Sequence, residues 1–249
     1  MSGHSKWHNI RLRKGKADAQ RGALFSKLSK EIIIAARSGS RDPEANYRLK
    51  MVVDKARESN MPQDNIKRAI ARASGEAGER AIEEIRYEGY GPHALAIVLD
   101  AATDNRNRTA GELRFLFHKH GGSLGETGSV TWMFDSVGII VIEPQGRSEE
   151  ALTEAALVDG VVDLEYGEPT EVFTAPPALA DVRDRLRDAG LKVTDAYLGV
   201  RPKQKTVLEG GNLHEALILL EALDEHEDVQ RIYSNLDASE SAIEAFARA

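Results

Sequence analysis

Between Val137 and Gly199 the hydrophobic pattern runs strand, helix, strand, strand, helix, strand, an order that few folds accommodate. Val137–Ile142 is an almost unbroken apolar run of strand length, and Glu149–Leu157 has helical spacing. Val161–Tyr166 and Thr170–Thr174 are rich in β-branched and aromatic residues. Leu179–Ala189 is again helical and Lys192–Gly199 closes the series as a strand. The order βαββαβ is that of the ferredoxin-like split unit. The elements just before it, strands Ile82–Tyr87 and Ala94–Ala101, a helix opened by the capping box Thr109-Ala110-Gly111-Glu112, and a strand Ser129–Phe134, run ββαβ. They lack a second helix and a closing strand, which Asn212–Leu223 and Val229–Ser234 supply. The expectation is therefore a ferredoxin-like domain, residues 136–201, inserted into a discontinuous α+β domain made of residues 81–135 plus 202–249.

Upstream of residue 81 the periodicity differs. Leu24, Leu28, Ile32 and Ala35 recur at helical spacing from Ala17 onward, with Gly39 as the stop. Asp42-Pro43 is read as an N-cap followed by proline at the first helical position, opening a helix striped by Leu49, Val52, Val53 and Ala56. Pro62 opens a third helix with Ile66, Ala69, Ile70 and Ala73 inward. Residues 1–80 are thus a basic arm and a small helical bundle, joined to the remainder of the chain by the Gly- and Glu-rich stretch 74–79. The fold class expected is α+β and multi-domain, a three-helix bundle followed by two α+β domains.

Charge divides the chain in the same place. Residues 1–80 carry 18 Lys or Arg against 9 Asp or Glu, whereas residues 81–249 carry 15 against 31. A basic head on an acidic body is suited to gripping a polyanion at one end. No apolar run is long enough for a membrane span, so no membrane partner is expected. With no cysteine, disulfides and thiolate chemistry are excluded, which fits a reducing compartment. The N-terminus lacks the apolar core of a secretory signal, and a cytoplasmic protein is expected.

Several short motifs fall in a distinctive order. They are Gly3-His4-Ser5-Lys6-Trp7, Asp42-Pro43-Glu44-Ala45-Asn46, Asn60-Met61-Pro62, Asp64-Asn65-Ile66, Tyr87-Glu88-Gly89-Tyr90-Gly91-Pro92, Thr103-Asp104-Asn105-Arg106-Asn107-Arg108-Thr109 and Gly121-Gly122. This series resembles the YebC/PmpR family, whose mitochondrial relative is the translational activator of cytochrome oxidase subunit one. The resemblance is collinear over residues 1–135 and rests mainly on the order of elements beyond them. It implies a helical domain plus two α+β domains, and a nucleic-acid-associated regulator of gene expression. Family members are usually described as DNA-binding transcriptional regulators, and some are linked instead to translation on the ribosome.

Candidate contacts follow from the charge. The arm offers Lys6, Arg11, Arg13, Lys14, Lys16 and Arg21 to phosphates, His4 as a further donor, and Trp7 for stacking on a base or sugar. The third helix offers Lys67, Arg68 and Arg72, either as a helix-turn-helix reader or as an ordinary charged face. Arg106 and Arg108, in a polar loop entering a helix, suit phosphate contact or internal ion pairs equally well. Lys27 and Lys30 read as the outer face of the first helix.

Catalytic signals are weak. The glycines of 121–128 lack a phosphate-loop ending and serve a turn, His118 and His120 face different sides of a helix, and no nucleophile elbow or paired-histidine zinc motif occurs. The acids Glu221, Asp224, Glu225, Glu227 and Asp228 lack calcium-loop spacing and read as a solvated face or a docking surface for a basic protein. No cofactor, metal or catalytic residue is expected. The reading is a non-enzymatic regulator binding DNA, with a translation factor binding ribosomal RNA through its arm, and the ribosome through its acidic domains, nearly level with it. A metal-dependent enzyme acting on nucleic acid trails both.

Overall fold

The computed structural model describes residues 18–74 and 81–248, which form two compact units. One unit comprises the described residues up to 130 together with 214–232, and the other comprises 131–213 with the described residues from 233.

The first unit begins with three helices, α1 (Asp18–Arg37), α2 (Tyr47–Glu58) and α3 (Gln63–Arg72). Leu28, Ile32 and Ala35 of α1 meet Leu49, Val53 and Ala56 of α2 and Ile66 and Ala69 of α3 in one buried cluster. The helical spacing expected from the apolar residues is therefore the spacing that packs. The start of α2 differs from the expectation at Asp42-Pro43. Asp42 instead closes a turn on the Glu44 N–H at 3.0 Å, and Asn46 is the N-cap, accepting from Leu49 N–H at 3.1 Å. Asn46 also donates to the carbonyls of Ala35 and Ser40, at 2.8 and 2.7 Å, so one side chain satisfies orphan groups of two helices.

The sheet of this unit has the order β3–β1–β2–β9, from strands β1 (Glu83–Tyr90), β2 (Ala96–Thr103), β3 (Ser123–Leu124) and β9 (Val229–Ser234). β1 and β2 form an antiparallel hairpin. β2 lies between two partners and is buried along nearly its whole length, which is why Leu95-Ala96-Ile97-Val98-Leu99 is uninterrupted by polar residues. Helix α4 (Arg106–Lys119) packs Leu113 and Phe117 inward and ends at Gly121, whose φ of +75° is left-handed. A Cβ on Gly122 would lie 2.5 Å from the Tyr90 carbonyl, so this pair of glycines serves a turn and a close backbone approach, as expected.

Two sequence expectations fail here. α4 starts at Arg106, three residues ahead of the capping box, because Asn105 is the N-cap and accepts from Arg108 N–H at 3.2 Å. The strand expected at Ser129–Phe134 does not form. The buried carboxylate of Glu88 draws in the N–H groups of Gly128 at 2.7 Å and Val130 at 2.9 Å, and Thr131–Met133 becomes a single 3-10 turn. The two residues of β3 take the sheet edge instead.

The second unit carries β4 (Phe134–Glu143), α5 (Glu149–Ala156), β5 (Val161–Glu165), β6 (Thr170–Thr174), α6 (Leu179–Asp188) and β7 (Lys192–Pro202). Its sheet has the order β5–β6–β4–β7 with every neighbouring pair antiparallel, the ferredoxin-like arrangement. Ile140, Ile142 and Val172 of the sheet pack with Leu152 of α5 and Val182 and Leu186 of α6. β8 (Thr206–Val207) and β10 (Leu236–Asp237) pair in parallel, α7 (Gly210–Glu225) precedes β9, and α8 (Glu240–Arg248) ends the chain. The last strand of the first sheet thus comes from beyond the second sheet in sequence.

Candidate nucleic-acid interface and the Asp228 cluster

The arm residues His4, Lys6, Trp7, Arg11, Arg13, Lys14 and Lys16 lie outside the described residues. Arg21 is exposed near the start of α1. On α3, Lys67, Arg68 and Arg72 are exposed, and Arg68 turns back onto the Asp64 carbonyl at 3.3 Å and the Asn65 side chain. Asn65, a candidate base reader beside them, is thereby engaged within its own helix. Arg106 is 68% exposed, 3.7 Å from Glu83.

Arg108 goes elsewhere. Its guanidinium donates to Asp228 at 2.9 Å and lies 3.2 Å from Asp104 and 3.9 Å from Glu112. Of the two open readings of this loop, internal ion pairing describes Arg108. The Asp228 hydrogen bond is the leading cause that raises its pKa further above the ordinary arginine value.

Asp228 is the centre of the arrangement, and its side chain is fully buried. Three elements converge on it. α1 brings the Lys30 ammonium, and the first turn of α4 brings Arg108 together with the Thr109 hydroxyl, which donates at 2.6 Å. The backbone carbonyl of Asp228 accepts from Ala102 N–H of β2 at 2.7 Å. Burial alone would push the carboxyl up; the hydrogen bonds from Lys30, Thr109 and Arg108 overcome it and hold the pKa at about 2. Lys27, one turn earlier on α1, donates to the carbonyl of Asp224 at the end of α7 and lies 3.4 Å from its carboxylate. A cation at a helix C-terminus meets the negative end of the macrodipole. Lys27 and Lys30 are therefore not an outer face: they fasten the helical bundle to the turn between α7 and β9. Asp228 likewise leaves the solvated acidic face expected of it, because Thr109 is turned inward to meet it.

Glu112, His226 and Asp228 place their ligand atoms within 4.8 Å of one another. The donor set does not suit a cation. His226 Nδ1 accepts from the Asp228 N–H at 3.1 Å and its Nε2 faces Glu112 at 3.0 Å, so both ring nitrogens are engaged. The charge of Asp228 is already met by Lys30 and Arg108, and a metal would have to displace both. The trio is held by hydrogen bonds through His226 and by the ion pairs that Asp228 and Glu112 make with Lys30 and Arg108. Its signal in the sequence is faint: Asp228 directly precedes a strand, where a charge enters a sheet edge.

Taken together, a three-helix bundle bolted by lysines to an α+β sheet, followed in the chain by a ferredoxin-like unit, defines a class of multi-domain α+β protein with exposed basic side chains on its bundle helices. Comparison with known proteins places it more closely. Residues 5–76 match the TACO1/YebC protein N-terminal domain, and residues 82–236 match the TACO1/YebC second and third domain. The chain belongs to the YebC family. It is 47% identical over 247 residues to a "Probable transcriptional regulatory protein" of Dictyoglomus turgidum, covering 98% of this chain and 99% of that one. A protein of the same name from Pelotomaculum thermopropionicum is 48% identical over 240 residues, covering 95% and 99%. Among solved structures, the crystal structure of a conserved hypothetical protein, Aq1575, from Aquifex aeolicus matches with a TM-score of 0.81 and 40% identity, covering 89% of this chain and 92% of that one. Among the described residues no helix is long and apolar enough to cross a membrane.

Proposed function

We propose that this chain is a non-enzymatic regulator of transcription that binds DNA through its basic N-terminal region, His4, Lys6, Trp7, Arg11, Arg13, Lys14, Lys16 and Arg21, with Lys67, Arg68, Arg72 and Arg106 as secondary contacts. The observation that carries this reading is the charge split, 18 basic against 9 acidic residues up to residue 80 and 15 against 31 beyond it. Phosphates are attracted to the first part, whereas the second is acidic in net charge, so contacts there are confined to local basic faces and its acidic surface is left to meet a basic protein. Arg108 is withdrawn from the contact set by Asp228. The names of the relatives support regulation of transcription. The protein acts by occupying a site in the cytoplasm and takes no cofactor.

A second reading is favoured by one specific feature. Trp7 sits among the arm cations, and a stacking aromatic suits the unpaired bases of ribosomal RNA better than a duplex groove. The two readings part in one experiment. In the first, the protein shifts a promoter fragment at physiological salt in the presence of excess nonspecific DNA. In the second, it co-sediments with ribosomal particles, and loses them on deletion of residues 1–16. For either polyanion, replacing Lys6, Arg11, Arg13, Lys14 and Lys16 by Gln lowers the slope of log affinity against log salt by roughly 0.7–0.9 per lost phosphate contact. An unchanged slope refutes phosphate binding by the arm.

A further inference from the structure

The face of α4 turned away from the sheet has a composition that the packing of α4 does not require. Leu113 and Phe117 are buried against the sheet, and Asn107, Gly111, Arg114, Phe115, His118 and Lys119 are all exposed. At 3.6 residues per turn, Asn107, Gly111, Arg114 and His118 form one outer stripe, with Phe115 beside it. Phe115 is 64% exposed. A single exposed apolar residue needs no explanation, but this one stands among cations. Among the described residues no ion pair or side-chain hydrogen bond engages Arg114, His118 or Lys119. The one carboxylate on this side of the helix, Glu112, is turned to His226 at 3.0 Å and to Arg108.

Gly111 is the second observation. It occupies the middle of a 14-residue helix, where glycine is disfavoured for its backbone entropy. A Cβ built on it would meet nothing within 4 Å. Nothing inside the protein therefore requires a glycine there, in contrast to Gly89 and Gly122, which are crowded by Phe117 and by backbone carbonyls. What its missing side chain does is leave the helix backbone bare between Asn107 and the pair Arg114 and Phe115, so that a partner can come close.

We propose that this face of α4 is a second nucleic-acid contact, taking an unpaired base on Phe115 with its flanking phosphates on Arg114 and Lys119. Charge complementarity selects the occupant: Arg114 and Lys119 about one exposed ring, with a bare backbone beside them, fit an anionic strand whose bases are free to stack. A duplex would meet the arginine and lysine, but would present no base face to Phe115. The inference rests on the reading that this chain binds nucleic acid, and adds a place on the α+β part of the protein for it.

The test is fluorescence anisotropy of the full chain with a labelled mixed-sequence single-stranded RNA, the same sequence as single-stranded DNA, and the duplex, with Phe115→Ala, Arg114→Glu and Gly111→Gln. Phe115→Ala is expected to weaken single-strand binding about five- to a hundred-fold, the range of one lost stacking contact, and to change duplex binding little. Gly111→Gln separates function from folding, because it raises helix stability in thermal melts while lowering affinity for the strand. A greater loss on RNA than on DNA identifies the strand as RNA, and the reverse as DNA. Wild-type affinity in all three variants, with binding still abolished by neutralising the arm, overturns this inference and leaves the proposed function intact. An equal loss on duplex and single strand overturns the stacking role, and absence of binding by the wild-type chain overturns both readings together.

Discussion

Removing the Lys30 ammonium tests the Asp228 cluster most directly. The folded carboxyl has a pKa of about 2, against an ordinary value of 3.8. A tenfold change in proton affinity corresponds to about 1.4 kcal/mol, so the group contributes roughly 2 kcal/mol of stability. A depressed carboxyl contributes in full above its unfolded value, and loses that contribution as pH falls through the folded value. Urea unfolding of wild type and Asp228→Asn should therefore give a difference in stability that shrinks by about 2 kcal/mol between pH 5 and pH 2, other carboxylates being common to both. Lys30→Met keeps the aliphatic stem and leaves the buried carboxylate to Arg108 and Thr109. Breaking a buried pair costs about 3–5 kcal/mol when nothing replaces the partner. With two of three donors retained, we expect about 2 kcal/mol at pH 7, and an acid midpoint moved upward. The double mutant should cost less than the sum of the singles. A pH profile of Asp228→Asn parallel to wild type, or a Lys30→Met variant within about 0.5 kcal/mol of it, would refute the central place given to this carboxylate.

Two further outcomes concern single side chains that organise backbone. Glu88→Gln replaces a buried carboxylate, accepting from Gly128 and Val130, with an amide that can present only one oxygen; a loss of about 1–3 kcal/mol in denaturant midpoint analysis is expected, without change in secondary structure by circular dichroism. Asn46→Ala removes the cap of α2 and the two donors that tie it to α1 and the following turn, and should cost about 1–2 kcal/mol, whereas Asp42→Ala should cost less, because Asp42 caps no helix.

Much of the architecture is legible in the sequence because it depends on periodicity. The stripe Leu24, Leu28, Ile32, Ala35 and the βαββαβ order are local patterns that admit few packed solutions, and α1 and the ferredoxin-like sheet form where they are expected. Caps differ from expectation where two polar candidates compete. Asn46 displaces Asp42, and Asn105 displaces Thr109, since a side chain caps a helix only if tertiary contacts leave it free to do so. Thr109 is not free: Asp228 holds its hydroxyl.

What the sequence determined by itself is the alternation of elements, the burial of their apolar faces and the opposition of charge between the two ends of the chain. These depend on spacing and on counts of residues, which folding does not alter. The tertiary structure decided the fate of individual charges. Lys27 and Lys30 are indistinguishable in sequence from solvated lysines, and Asp228 from its neighbours in an acidic run. The Lys30–Asp228 pair joins residues 198 positions apart in the chain. Only the fold brings such residues together, and for a charged group the company it keeps decides between a surface that meets a partner and an ion pair that holds the protein together.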